Sequence, residues 1–143
     1  MNGEELPGVM KQSFCIFFNN GEIWIEHLDG IYGYTNLALE KLELDFQQFK
    51  RPSMPSVMAV NLEETFITDT LIQSITEKLL YGSKQFRKVV FIGVSRQKAK
   101  EIKKALGKPN FLVSFINDFE KAKEWLISPI EVHDGGRKNL DCE

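Results

Sequence analysis

Between Pro55 and Ile127 the chain repeats one pattern three times: a short apolar run, a turn, then apolar positions at helical spacing. The runs are Ser56–Val60, Lys88–Val94 and Phe111–Ile116, and they are continuous rather than alternating in polarity. Continuous runs suit strands covered on both faces, because neither side of the pleat has to meet water. The helical stripes are Leu71, Ile72, Ile75 and Leu79 in the first unit, Ala99, Ile102 and Leu106 in the second, and Phe119, Ala122 and Leu126 in the third. Each lays one apolar face against a sheet. Boundary residues agree with this pattern. Ser95 is placed to cap a helix, Gly107 followed by Pro109 stops one, and Asn117 with Glu120 has the spacing of a capping box. Strand and helix in this alternation predict a parallel sheet with right-handed crossovers.

Upstream the pattern changes. Phe14–Phe18 and Glu22–Leu28 are β-rich and flank Asn19-Asn20-Gly21, where the Asn-Gly pair is expected to supply the positive φ angles of a tight hairpin. A helix is expected from Thr35 to about Lys50, with Leu39, Leu42, Phe46 and Phe49 on one face, stopped by Arg51-Pro52-Ser53-Met54-Pro55. The expected fold is therefore α/β, a single domain with a mixed, mainly parallel five-stranded sheet and about four helices in the order β-β-α-β-α-β-α-β-α. It occupies residues 12–128, after an N-terminal extension 1–11 and before a flexible tail 129–143, where Gly135-Gly136 and mixed charges leave little to bury.

Composition narrows the class without naming a reaction. A chain of 143 residues suits one core that buries about two thirds of its unfolded surface, and 43% hydrophobic with 27% charged residues argues against wholesale disorder. No apolar run reaches transmembrane length, and Met1–Gln12 lacks the apolar centre of a secretory signal, so the cytoplasm is the expected compartment. Cys15 falls in a strand and Cys142 in the tail, an arrangement that fits free thiols in a reducing environment. A net charge of −2 favours neither a nucleic-acid nor a membrane partner.

Candidate chemistry is sparse. His27 and His133 are far apart, so no metal site is expected. No serine or cysteine sits in a nucleophile elbow, and neither catalytic residues nor a cofactor can be assigned. Gly93-Val94-Ser95-Arg96-Gln97 has one glycine where a dinucleotide fingerprint needs three. The helix start there could still hold an anion with help from Ser95 and Arg96, although the plainer role for Ser95 is an N-cap contributing about 1 kcal/mol. Residues 96–108 carry Arg96, Lys98, Lys100, Lys103, Lys104 and Lys108 against Glu101 alone. A solvated face that complements the helix dipole accounts for this; the functional version docks an acidic protein surface. Nucleic acid ranks behind both, since no aromatic residues interleave with the lysines. Glu40, Glu43 and Asp45 make the first helix acidic, which leaves a homodimer through complementary faces open. Most of the eleven Phe fall on core positions, whereas Trp24, Trp125 and Tyr32-Gly33-Tyr34 are candidate contact aromatics.

Val57–Leu62 leads through Glu63–Ile67 into Thr68-Asp69-Thr70-Leu71, with Lys88–Val94 and Asn117–Ala122 downstream. In these segments and their order, residues 12–127 resemble the STAS domain, the family of bacterial anti-sigma-factor antagonists, stressosome components and transporter cytoplasmic tails. The resemblance implies a noncatalytic protein-interaction module in bacterial signalling and regulation, binding a regulator or kinase-like protein. In that family the strand ends in Asp-Leu and the helix opens with Asp-Ser-Ser/Ala-Gly, where a Ser or Thr accepts a phosphate. Here Asn61-Leu62 stands in the first place and Thr68-Asp69-Thr70-Leu71 in the second, without the glycine. An ungapped match puts Thr70 at the acceptor position; a one-residue shift puts Asp69 there. The implied phosphosites are Thr70 and Thr68, and the implied partner-contacting residues are Asn61, Asp69, Leu71, Ile72, Ser95 and Arg96. A phosphate at this helix start would add nearly two negative charges to the interface, while the structural alternative is that Thr68 or Asp69 simply caps the helix. A different class of function places a small-ligand or enzymatic site near Asn61, Ser95, Arg96 and Asn117, at the C-terminal edge of the parallel strands. A phosphoacceptor receiver domain ranks lower, for want of an early acidic pair and a strand-ending aspartate.

Overall fold

The computed structural model describes residues 12–19, 21–48, 55–81 and 86–129. The elements are β1 (Phe14–Phe18), β2 (Gly21–His27), α1 (Thr35–Gln47), β3 (Val57–Asn61), α2 (Asp69–Tyr81), β4 (Lys88–Ile92), α3 (Arg96–Leu106), β5 (Leu112–Phe115) and α4 (Phe119–Ile127). They form the α/β domain expected, with one five-stranded sheet in the order β1-β2-β3-β4-β5. The β1–β2 pair is antiparallel and the others are parallel.

Sequential parallel order decides where the helices go. Right-handed crossovers that always step in the same direction leave α1, α2 and α3 on one face of the sheet. Beneath them Trp24, Met58, Val60, Val89 and Phe91 pack with Leu42, Leu71, Ile75 and Ile102. The other face belongs to α4, whose Ala122 and Leu126 cover Ile23, Ile25, Ala59, Val90 and Ile92. All five residues of β3 and of β4 are buried, which is why their sequences do not alternate.

Several local expectations shift. The hairpin closes between Phe18 and Gly21, with a positive φ at Asn19 (47°) and none at Gly21; Asn20 lies outside the described residues. Gly21 instead serves a close approach: a Cβ there would lie 2.7 Å from Cγ2 of Ile127. The cap of α4 is Asp118, whose side chain accepts the Lys121 N–H at 3.1 Å, so the Asn117–Glu120 capping box does not form. Helix α1 ends at Gln47, short of Lys50. Ser95 caps α3 and Gly107 ends it at φ 67°, as expected. The extension 1–11, the Arg51–Met54 loop and the tail beyond Pro129, with Cys142 and His133, lie outside the described residues.

Two buried polar groups are absent from any reading of periodicity. Lys88 opens β4 and is 2% exposed; its Nζ donates to the carbonyl oxygens of Trp125 (2.6 Å) and Ser128 (2.8 Å) and to Ser128 Oγ (2.9 Å). It thereby closes the C-terminus of α4 and lies 4.8 Å over the Trp125 ring. Burial, with a smaller contribution from the Arg87 guanidinium, pushes its ammonium down to about 8. On the opposite face Glu26 is fully buried and accepts the Trp24 indole N–H at 2.7 Å. Its second oxygen meets no N–H or hydroxyl donor; the remaining neighbour is the Asp45 carboxyl, and two carboxyls can share a hydrogen bond only if one is protonated. Burial first, then Asp45, raises the Glu26 carboxyl well above its usual range, so the proton resides there. Burial would raise Asp45 too, but hydrogen bonds from Glu26, Lys41 and Ser13 outweigh it and hold Asp45 low. Lys41 Nζ and Ser13 Oγ each lie 2.8 Å from Asp45 Oδ2, which ties β1, β2 and α1 together.

Candidate functional site

The C-terminal ends of β2 to β5 and the N-termini of all four helices meet along one rim of the domain. In an open α/β sheet this is where ligands and partners are met. The loops here are zipped together by backbone hydrogen bonds: Leu28 N–H to Asn61 O (2.9 Å), Gly30 N–H to Glu63 O (2.7 Å), Tyr32 N–H to Glu64 O (2.9 Å) and Phe66 N–H to Tyr32 O (2.7 Å). Thr65 Oγ1 donates to Leu28 O at 2.6 Å and accepts the Ile31 N–H at 3.0 Å, locking the loop after β2 to the loop after β3.

Of the polar groups proposed for a ligand site, Asn61, Ser95 and Asn117 each accept backbone N–H groups. Asn61 is buried, and its Oδ1 accepts the Glu63 N–H at 3.1 Å, so it shapes a turn. Asn117 Oδ1 accepts the N–H groups of Gly93 (2.8 Å) and Val94 (3.2 Å), the amides of the turn before α3. Ser95 Oγ accepts the Lys98 N–H at 3.2 Å; Arg96 is exposed beside it. Gly93 has φ 82°, and a Cβ on it would stand 2.6 Å from the Glu63 backbone nitrogen. The turn therefore presses against the β3–α2 loop. What opens here is a shallow depression of about 420 Å3 lined by Asp29, Glu63, Glu64 and Gly93. Its carboxylates disfavour an anionic ligand.

At the start of α2 the implied residues separate into two groups. Thr68 is the N-cap, with its Oγ1 accepting the Leu71 N–H at 3.2 Å and its carbonyl accepting the Ile72 N–H at 2.9 Å. Asp69 and Thr70, in the first turn, are exposed. Leu71 and Ile72 are 0% and 6% exposed and pack in the core under α2, so their side chains anchor the helix and offer little to a partner.

Beside that turn lies a feature that periodicity could not locate. Tyr32 (51% exposed), Tyr34 (45%) and Phe66 (69%) project from the two zipped loops. Tyr32 and Glu64 both adopt left-handed backbone, φ 53° and 56°, a conformation that costs a residue with a side chain about 1 kcal/mol or more. The two are hydrogen-bonded partners across the zip, and the Phe66 ring covers Gly33, where an added Cβ would lie 3.4 Å from it. The Tyr32-Gly33-Tyr34 triplet was the available signal for this rim; Phe66 carried none, because its neighbours do not repeat.

Among the described residues no group of three His, Cys, Asp or Glu side chains could hold a metal ion, and no helix is long and apolar enough to cross a membrane. The element order and sheet are consistent with STAS-like domains. Comparisons with protein-family models, curated proteins and solved structures find no match to this chain.

Proposed function

We propose that this chain is a noncatalytic, STAS-like protein-interaction module of cytoplasmic signalling, which binds a protein partner through the rim formed by Tyr32, Tyr34, Phe66 and the first turn of α2. The observation that carries this reading is the exposure of those three aromatic rings on two loops held rigid by mutual hydrogen bonds and left-handed backbone. Exposed rings on a preordered frame lose little entropy on docking, and aromatic side chains are the residues that most often dominate interfaces. Of the two threonines at the α2 start, Thr70 is the regulatory acceptor in this reading. Its side chain is exposed, whereas the Thr68 hydroxyl is engaged as the cap. A phosphate on Thr70 is tolerated by the helix dipole and joins Glu63, Glu64 and Asp69 on the same rim. It would therefore repel an acidic or apolar partner without unfolding the domain.

Capture from host lysate followed by mass spectrometry tests the reading. Wild type and a Glu124→Lys control, exposed on α4, should retain the same stoichiometric protein, while Phe66→Asp and Thr70→Glu should each lose it. Equal capture by all four chains would overturn the assignment of the rim, and a stoichiometric metabolite in place of a protein would overturn the class.

A further inference from the structure

We infer that the outer edge of β5 is a second docking site, which takes an extended acidic peptide from a partner as an added sixth strand. The ladder fixes which backbone groups are free. Leu112 N–H bonds to Arg87 O at 3.0 Å and Ile116 N–H bonds to Phe91 O at 3.0 Å. Even-numbered residues of β5 therefore point their amides inward, and the period of two turns the N–H and C=O of Val113 and Phe115 outward. Among the described residues no strand pairs with that edge.

The edge is also bordered by a groove. Between β5 and the end of α3 lies a cavity of about 290 Å3 lined by Lys103, Leu106, Pro109, Val113 and Phe115 among others. Val113 and Phe115 are half-buried on the α3 side, and Phe115 stacks on Phe91 with ring centres 5.2 Å apart, so the groove floor is fixed. Alternate side chains of an added strand would enter this groove, which accepts a small apolar residue. Charge selects the rest. On α3 the sole ion pair among the described residues is Lys98–Glu101, which leaves Lys100, Lys103 and Lys104, with Lys108 just beyond, exposed and without a carboxylate. Lys103 Nζ sits 5.6 Å over the Phe115 ring, at the groove. Strand addition supplies affinity through main-chain hydrogen bonds, and the groove and cations supply selection. An open edge is a liability that a protein normally blunts with charge; here the lysines flank the edge and leave its two outward amides clear. This site is independent of the aromatic rim.

The test uses the full chain and two blocked hexapeptides, one alternating valine with glutamate and one alternating valine with lysine. Amide exchange and fluorescence anisotropy are the readouts. The acidic peptide should slow exchange at Val113 and Phe115, and the lysine peptide should not bind. Val113→Pro removes an outward N–H and trims the groove wall, at a position where an edge strand tolerates proline, and should weaken binding at least tenfold with the sheet intact. Lys103→Glu, on the exposed helix surface, should do the same and serves if the proline variant does not fold. Absence of protection at the two amides, equal binding of the lysine peptide, or undiminished binding by Lys103→Glu would each overturn the proposal.

Discussion

Replacing Lys88 by methionine should remove a pH dependence that the wild type shows above pH 8. The folded ammonium titrates near 8 against 10.5 in the free side chain. Below pH 8 the lysine is charged in both states and the whole burial penalty is felt; through the window from 8 to 10.5 the folded protein releases its proton first, and stability rises. A depression of this size corresponds to about 3 kcal/mol at pH 7, of which about 2 kcal/mol is relieved by pH 9.5. The Trp125 ring and three hydrogen-bond acceptors favour the charged form, so these figures are upper bounds. Urea unfolding of wild type and Lys88→Met at pH 7 and pH 9.5 isolates the group, because every other titration is common to both. The wild type should gain on the variant by about 1–2 kcal/mol between the two pH values. If the difference between the chains is the same at both, the ammonium is not penalised in the fold and the reasoning fails.

Thr68→Ala should lower stability by about 1 kcal/mol through the lost cap, whereas Thr70→Ala should stay within about 0.5 kcal/mol, both read from urea midpoints; equal losses would contradict the placement of the cap. Gly93→Ala forces a Cβ into the Glu63 backbone at positive φ, and should cost about 2 kcal/mol or more in the same assay. Glu26→Gln keeps the shape and a donor toward Asp45 without the titration. Because the folded Glu26 carboxyl is raised, wild-type stability from this group falls as pH climbs above 4.5, and the variant should be the more stable chain at pH 7. A destabilised Glu26→Gln chain at neutral pH would mean that the charged form is the native one.

Much of the architecture was legible because apolar runs and helical stripes report burial directly. Every strand and helix lies within a few residues of its expected position, and the hairpin is antiparallel as the turn implied. The lapses are at boundaries, where one residue decides geometry. Asn117 and Asp118 both qualify as caps in sequence, and the strand ends settle the choice by giving Asn117 the amides of Gly93 and Val94. Gly21 was read for its φ when its importance is the passage of Ile127. The site was harder to read. Matching residues to a motif marked Leu71 and Ile72 as contacts, whereas their helical phase carries them into the core. Phe66 and Glu64 became informative only once the loops were paired, since left-handed backbone at two bulky residues leaves no trace in composition.

The central claim, that the aromatic rim is the recognition surface, is tested most directly by hydrogen–deuterium exchange of the chain alone and with its captured partner. The account predicts slowed exchange in residues 29–36 and 63–70, with α4 unchanged. Protection confined to α4 or to β1, with the rim exchanging as it does in the free chain, would contradict it.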